Sequence, residues 1–156
     1  MDWYVKAFVK ASITWLALGV TLGVGMAVFP QWIIYRPAHM HMLLLGFVTM
    51  MIFGVAYHVI PRFTGFPLHS RRAPGVQWFV SNAGLTLMVT AFIVRPTVAE
   101  LGSLILAVGG SLAAIGAYTF VYVIWRTIDG PTPLRRSAKH ATGAESRTGL
   151  PLAQAK

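Results

Sequence analysis

The chain has 156 residues, 56% of them hydrophobic and 11% charged, with a mean hydropathy of +0.64, a balance far outside that of ordinary soluble domains. It contains no cysteine, which excludes structural disulfides, thiolate metal sites and thioether-attached cofactors. The net charge of +9 invites a nucleic-acid reading, which the placement of the charges removes.

Four stretches, residues 11–29, 38–60, 75–94 and 101–125, carry no charged side chain and are long enough to cross a hydrocarbon core of about 30 Å. Eleven basic residues flank the first span, the loop between the second and third, and the segment after the fourth, against only Arg36 and Arg95 in the other two loops. That asymmetry predicts both termini in the cytoplasm of a bacterial-type plasma membrane and Arg36 and Arg95 outside. It accounts for the basic excess without nucleic acid, and leaves the bilayer as the partner composition implies.

The expected fold is all-α: an integral membrane four-helix bundle in residues 1–126, with spans over about 8–29, 38–60, 75–94 and 101–125. The first helix is expected to begin near Trp3, with Trp3 and Tyr4 in an interfacial aromatic belt, and to stop before Pro30. Its apolar core is longer than a secretory h-region and no small-x-small cleavage site follows, so it is read as a retained helix. Gly19 and Gly23, with Gly25, make a smooth face for a neighbouring helix. Pro37 suits the first turn of the second helix, which is expected to run to about Ile60, with Pro61 starting the loop. In the fourth helix Gly109, Gly110, Ala113, Ala114 and Gly116 form a packing surface. Residues 127–156, rich in Pro, Gly, Ser, Thr, Ala and Arg, are expected to be a disordered cytoplasmic tail.

The five histidines separate by position. His69 and His140 fall in the loop and tail, where solvation accounts for them. His58 lies near the inner end of the second helix, where an interfacial hydrogen bond accounts for it. His39 and His41 lie in the first turns of a membrane helix, and ionisable residues there are functional candidates by default; the alternative is a polar pair near the outer headgroups. At about 100° per residue the two side chains point about 200° apart, so they cannot chelate one ion but can each reach a different neighbour. His39 and His58, about 28 Å apart along a helix, cannot share one haem. A bis-histidine haem at this site therefore needs a second chain. Gly46 and Gly54 leave room for a flat macrocycle or serve helix packing. Arg36 and Arg95 pair with haem propionates or simply flank helix ends. For Met40 and Met42, packing outweighs ligation. No acid–base or nucleophile constellation is visible.

The stretch Arg36-Pro-Ala-His39-Met-His41-Met-Leu-Leu-Leu-Gly46-Phe47, continuing to Gly54-Val-Ala-Tyr57-His58-Val-Ile-Pro61-Arg62, resembles helix two of subunit I in the heme-copper oxidase superfamily, with a cbb-type oxidase or nitric oxide reductase flavour. The resemblance implies that His39 is an axial ligand of a low-spin haem b, bound non-covalently, and that this helix starts on the outer side. Subunit I has about twelve helices in three arcs of four. This chain matches one arc and lacks the histidines and tyrosine of the catalytic copper centre. The His-x-His pair on subunit I's tenth helix faces two haems, and His39-Met-His41 is similar to it. The resemblance thus implies a homotrimer of twelve helices, with one haem per chain ligated by His39 of one protomer and His41 of the next. Its alternative is a non-catalytic or assembly subunit among the subunits of a larger oxidase or nitric oxide reductase, and a redox partner is implied in either case.

Overall fold

The computed structural model describes residues 2–130. Four long helices account for nearly all of the described residues: α1 (Trp3–Val28), α2 (Pro30–Thr64), α3 (Ala73–Val94) and α4 (Ala99–Ile128). All four are long and apolar enough to cross a membrane; even the shortest, with 22 residues, reaches about 33 Å at 1.5 Å per residue. Such helices satisfy every backbone group within themselves, which hydrocarbon demands.

The second helix departs most from expectation. Its first turn is a 3-10 segment (Pro30–Tyr35), followed by regular α-helix (Arg36–His41), an eight-residue π segment (Met42–Thr49) and α-helix again (Met50–Thr64). Thr49 Oγ1 donates to the Leu44 carbonyl five residues back, at 2.8 Å, the spacing that a π turn sets up. The helix also runs past Pro61 to Thr64 instead of stopping at Ile60. Pro61 lies within the last turn, where it withholds the N–H that would bond to the Tyr57 carbonyl, and Gly65 ends the helix with a left-handed φ of 70°. The fourth helix likewise reaches Ile128. Thr127, expected in the tail, is buried and donates its hydroxyl to the Val123 carbonyl at 2.7 Å. Residues 131–156 of the expected tail, with His140, lie outside the described residues.

α2 packs on α1, α3 and α4, α3 packs on α4, and α1 and α4 lie at opposite ends with almost no contact between them. The tightest pair is α3 with α4. Gly102, Gly109 and Gly116 are buried at seven-residue intervals, against a facing row of Gln77, Ser81, Gly84, Met88 and Ala91. An added Cβ at Gly84 would lie 2.6 Å from the backbone N of Ala113 and 2.8 Å from the Gly109 carbonyl. The backbones therefore touch, and dispersion between them replaces the hydrophobic drive that lipid removes. The packing surface is narrower than expected from sequence. Gly110 has nothing within 4 Å of an added Cβ, and Ala114 is exposed.

At the end carrying Trp3, Thr64 and Ala73, hereafter the basic end, an aromatic cluster ties α1, α2 and α4 together. Phe8 meets Phe53 edge-on at 5.9 Å, Phe53 lies 4.4 Å from Phe120, and Tyr57 is 5.4 Å from Phe120. Each such pair contributes about 0.5–1.5 kcal/mol beyond area burial. The Tyr57 hydroxyl donates to Gln77 Oε1 across the α2–α3 interface, with both side chains buried.

Candidate cofactor site

His39 and His41 stand at the other end of the bundle, in the α-helical turn between the 3-10 opening and the π segment. They leave α2 on different sides. The His39 ring turns toward α1, where an added Cβ at Gly23 would come within 2.8 Å of His39 Cε1. Gly23 is thus a notch for the imidazole, and Gly19, one turn earlier, supplies an acceptor: His39 Nδ1 lies 2.9 Å from the Gly19 carbonyl oxygen. The Gly19/Gly23 face does receive a neighbouring helix: Leu43 and Met42 lie against Gly19, and His39 against Gly23.

His41 turns toward α3. Its ring centroid is 4.8 Å from that of Phe92, tilted by 41°, and its Nδ1 lies 2.8 Å from the Pro37 carbonyl oxygen. Pro37 at the start of α2 therefore has a second use: its carbonyl orients His41 from one turn away.

A carbonyl only accepts, so at both histidines the hydrogen must be on Nδ1. The tautomer with its hydrogen on Nδ1 carries its lone pair on Nε2. Neither Nε2 has a hydrogen-bond partner among the described residues, and neither is sealed inside the bundle. A ring oriented by Nδ1–H on a backbone carbonyl, with Nε2 free, is the ordinary arrangement of a metal-ligating imidazole. Two such nitrogens, pointing apart, fit the axial positions of two different haems. They do not fit a small chelated ion, and among the described residues no three histidine or acidic side chains converge. Haem does not need them to, since its macrocycle supplies four nitrogens.

The other candidate residues fall as follows. Arg36 and Arg95 sit at this same end, at the start of the α-helical turn and just past α3, both exposed and without an ion pair among the described residues. Arg95 is one turn beyond Phe92, with its Cα and Cβ against Gly102 of α4. Gly46 is buried, and an added Cβ there would meet Trp15 Cβ at 2.5 Å and Leu85 Cδ2 at 3.0 Å. Gly54 meets Phe8 in the same way. Both glycines serve the approach of α1 to α2, and the space beside them is filled. Met42 is buried and Met40 exposed.

His58 and His69 stay apart from this site. His58 Nδ1 is 2.9 Å from Arg62 Nη1, and the exposed His69 ring meets Tyr122 edge-on at 5.6 Å.

No protein-family model, curated protein or solved structure matches this chain. The case for the site rests on its own geometry.

Sequence reasoning missed three participants. Phe92 carried no signal beyond being apolar. The Gly19 carbonyl is a backbone atom that any residue would supply, and its nearness to His39 comes only from the helix packing. The π segment uses residues that suit an α-helix equally well, so nothing local announces it.

Proposed function

We propose that this chain is a membrane-bound b-type cytochrome, in which His39 of one protomer and His41 of another hold each haem. Its role is electron transfer or sensing of redox state or a diatomic gas, with no haem–copper catalytic centre. The observation that supports this is the pair of imidazoles, each tied through Nδ1 to a carbonyl and each presenting a free Nε2 on a different side of α2. The haem would supply one-electron iron chemistry. The chain's own residues orient the two ligands, and Arg36 and Arg95 offer guanidiniums to propionates.

The separation of α1 from α4 supports the second half of the reading. A four-helix unit open at both ends resembles one arc of heme-copper oxidase subunit I, and three such units joined head to tail close a ring at 120°. The exposed apolar faces of α1, including Val20 and Val24, and of α4, including Leu104 and Val108, suit neighbours in such a ring as well as lipid. The charge asymmetry supports a plasma-membrane orientation with the basic end in the cytoplasm.

Protein purified from haem-replete cells should be red, with a bis-imidazole b-type spectrum at one haem per chain and the mass of a trimer. His39→Ala or His41→Ala should each remove the spectrum while the helical circular dichroism persists. A colourless preparation sinks the haem. A haem that survives both substitutions sinks the ligand assignment.

A further inference from the structure

Along the α1–α3 edge the two helices touch at the basic end and are joined again where Trp15 reaches Asn82. Trp3 closes the contact, its indole lying against Gly75, where an added Cβ would be 2.7 Å from Trp3 Cζ2. Beyond it a groove of about 450 Å³ opens between the helices. Ala7, Ala11, Trp15 and Leu18 of α1 form one wall, Trp78 of α3 stands on the other, and Lys10 is at the lip.

The groove's polar wall residues are nearly all consumed internally. Asn82 Oδ1 accepts from Trp15 Nε1 at 3.1 Å, and its Nδ2 donates to the Trp78 carbonyl at 2.8 Å. The Thr14 hydroxyl donates to the Lys10 carbonyl at 3.0 Å. What is left is the Lys10 ammonium, exposed and without an ion pair among the described residues, and the Trp78 indole N–H, buried without a partner.

Lys10 lies seven residues beyond Trp3, about 10 Å along the helix, and is the last charge before the uncharged stretch 11–29. A lysine at that depth extends toward the headgroups and seeks an anion. Lys6 sits one turn earlier on the same side of α1. Arg71 and Arg72 immediately precede Ala73, the first residue of α3, and are exposed at the same end. Among the described residues the one acid nearby, Asp2, accepts from the Tyr4 hydroxyl at 3.0 Å; Asp129 ends α4, which does not border the groove.

We infer that this groove binds one anionic phospholipid, its phosphate diester on Lys10 and Lys6 and an acyl chain lying between Ala11 and Trp78. Lys10 on the groove and Lys6 one turn before it, with Arg71 and Arg72 exposed at the same end, match the charge of such a lipid above an apolar trough. They oppose a second copy of the chain docking here by two-fold symmetry, which would bring the same cations together. The inference is independent of the haem.

The test uses the full chain in detergent, titrated with phosphatidylglycerol, cardiolipin or phosphatidylcholine and read by native mass spectrometry. One anionic lipid per chain should be retained and phosphatidylcholine should not. Lys10→Gln should weaken retention about fivefold and the Lys6→Gln, Lys10→Gln pair about 25-fold, from ~1 kcal/mol per basic residue near an anionic headgroup. Lys10→Arg should retain the lipid, and Ala11→Leu, which fills the trough without touching charge, should lower retention. Equal binding of both anionic lipids assigns the site to one phosphate; tighter cardiolipin assigns it to two, with Arg71 and Arg72 engaged. Equal retention of phosphatidylcholine, or no effect of Lys10→Gln and Ala11→Leu, overturns the inference. So does cross-linking of two chains through Leu18→Cys, a clean probe in a protein without cysteine.

Discussion

Gly109 and Gly110 are neighbours on α4, and the structure sends their alanine variants in opposite directions. A Cβ at Gly109 would lie 2.8 Å from the Met88 backbone nitrogen and 2.9 Å from the Gly84 carbonyl oxygen, against 3.4–4 Å for ordinary contact. Neither atom belongs to a side chain that can rotate away, so α3 and α4 must separate. The loss spreads along the whole seam of Gly102, Gly109 and Gly116, and falls at the upper end of overpacking costs, about 2–3 kcal/mol. A Cβ at Gly110 meets nothing within 4 Å. There the alanine only restricts the unfolded chain and favours the helix, a gain of about 0.5–1 kcal/mol. The two variants should differ by roughly 3 kcal/mol, more than a hundredfold in the unfolding equilibrium. Reversible denaturation in mixed micelles, followed by circular dichroism, reads this directly. If both alanines shift stability by the same sign and amount, the backbone contact between α3 and α4 is not what these glycines are for.

Other outcomes follow from the site and the core. Gly23→Ala should push the His39 ring off its notch and break the bond to the Gly19 carbonyl, so haem content per chain, read by absorbance, should fall while the fold survives; unchanged content would remove Gly23 from the site. Tyr57→Phe should leave both polar ends of the buried Gln77 side chain unpaired, since its Nε2 already lacks a partner, at a cost of about 1–3 kcal/mol. A double substitution with Gln77→Leu should recover part of that loss in the same unfolding assay. Deleting one residue of the π segment, such as the exposed Leu44, should let it close as regular α-helix with His39 and His41 still facing α1 and α3, so the spectrum should survive; its loss would show that the widened turns themselves set the ligand positions.

Four apolar helices were legible because hydrocarbon imposes a length and a composition that no other element meets. The glycine face of α1 was legible too, as small residues one turn apart. Helix ends were less so: Pro61 and Thr127 have the composition of a loop, but α2 runs through Pro61 to Thr64, where Gly65 ends it, and Thr127 is held by the Val123 carbonyl and by the His69 N–H at 3.1 Å. At the site, the divergence of His39 and His41 follows from helical geometry alone. Their partners do not, because the Gly19 carbonyl and Phe92 are placed by packing over 20 and 51 residues of separation. One available signal went unused. Gln77 and Asn82 are polar side chains in an otherwise apolar span, and both join helices, to Tyr57 and to Trp15.

The π segment also bears on how α2 carries information along its length. A turn closed at five residues instead of four admits one additional residue, so the stripe of side chains facing α1 above Met42 is out of phase with the stripe below Thr49. A single angular period fitted to the whole span averages two faces and finds neither. The histidine end and the aromatic end of α2 are thereby free to obey different neighbours: His39 and His41 take their bearings from α1 and α3, Phe53 and Tyr57 take theirs from Phe8 and Phe120. One inserted residue gives a continuous helix two independent azimuths.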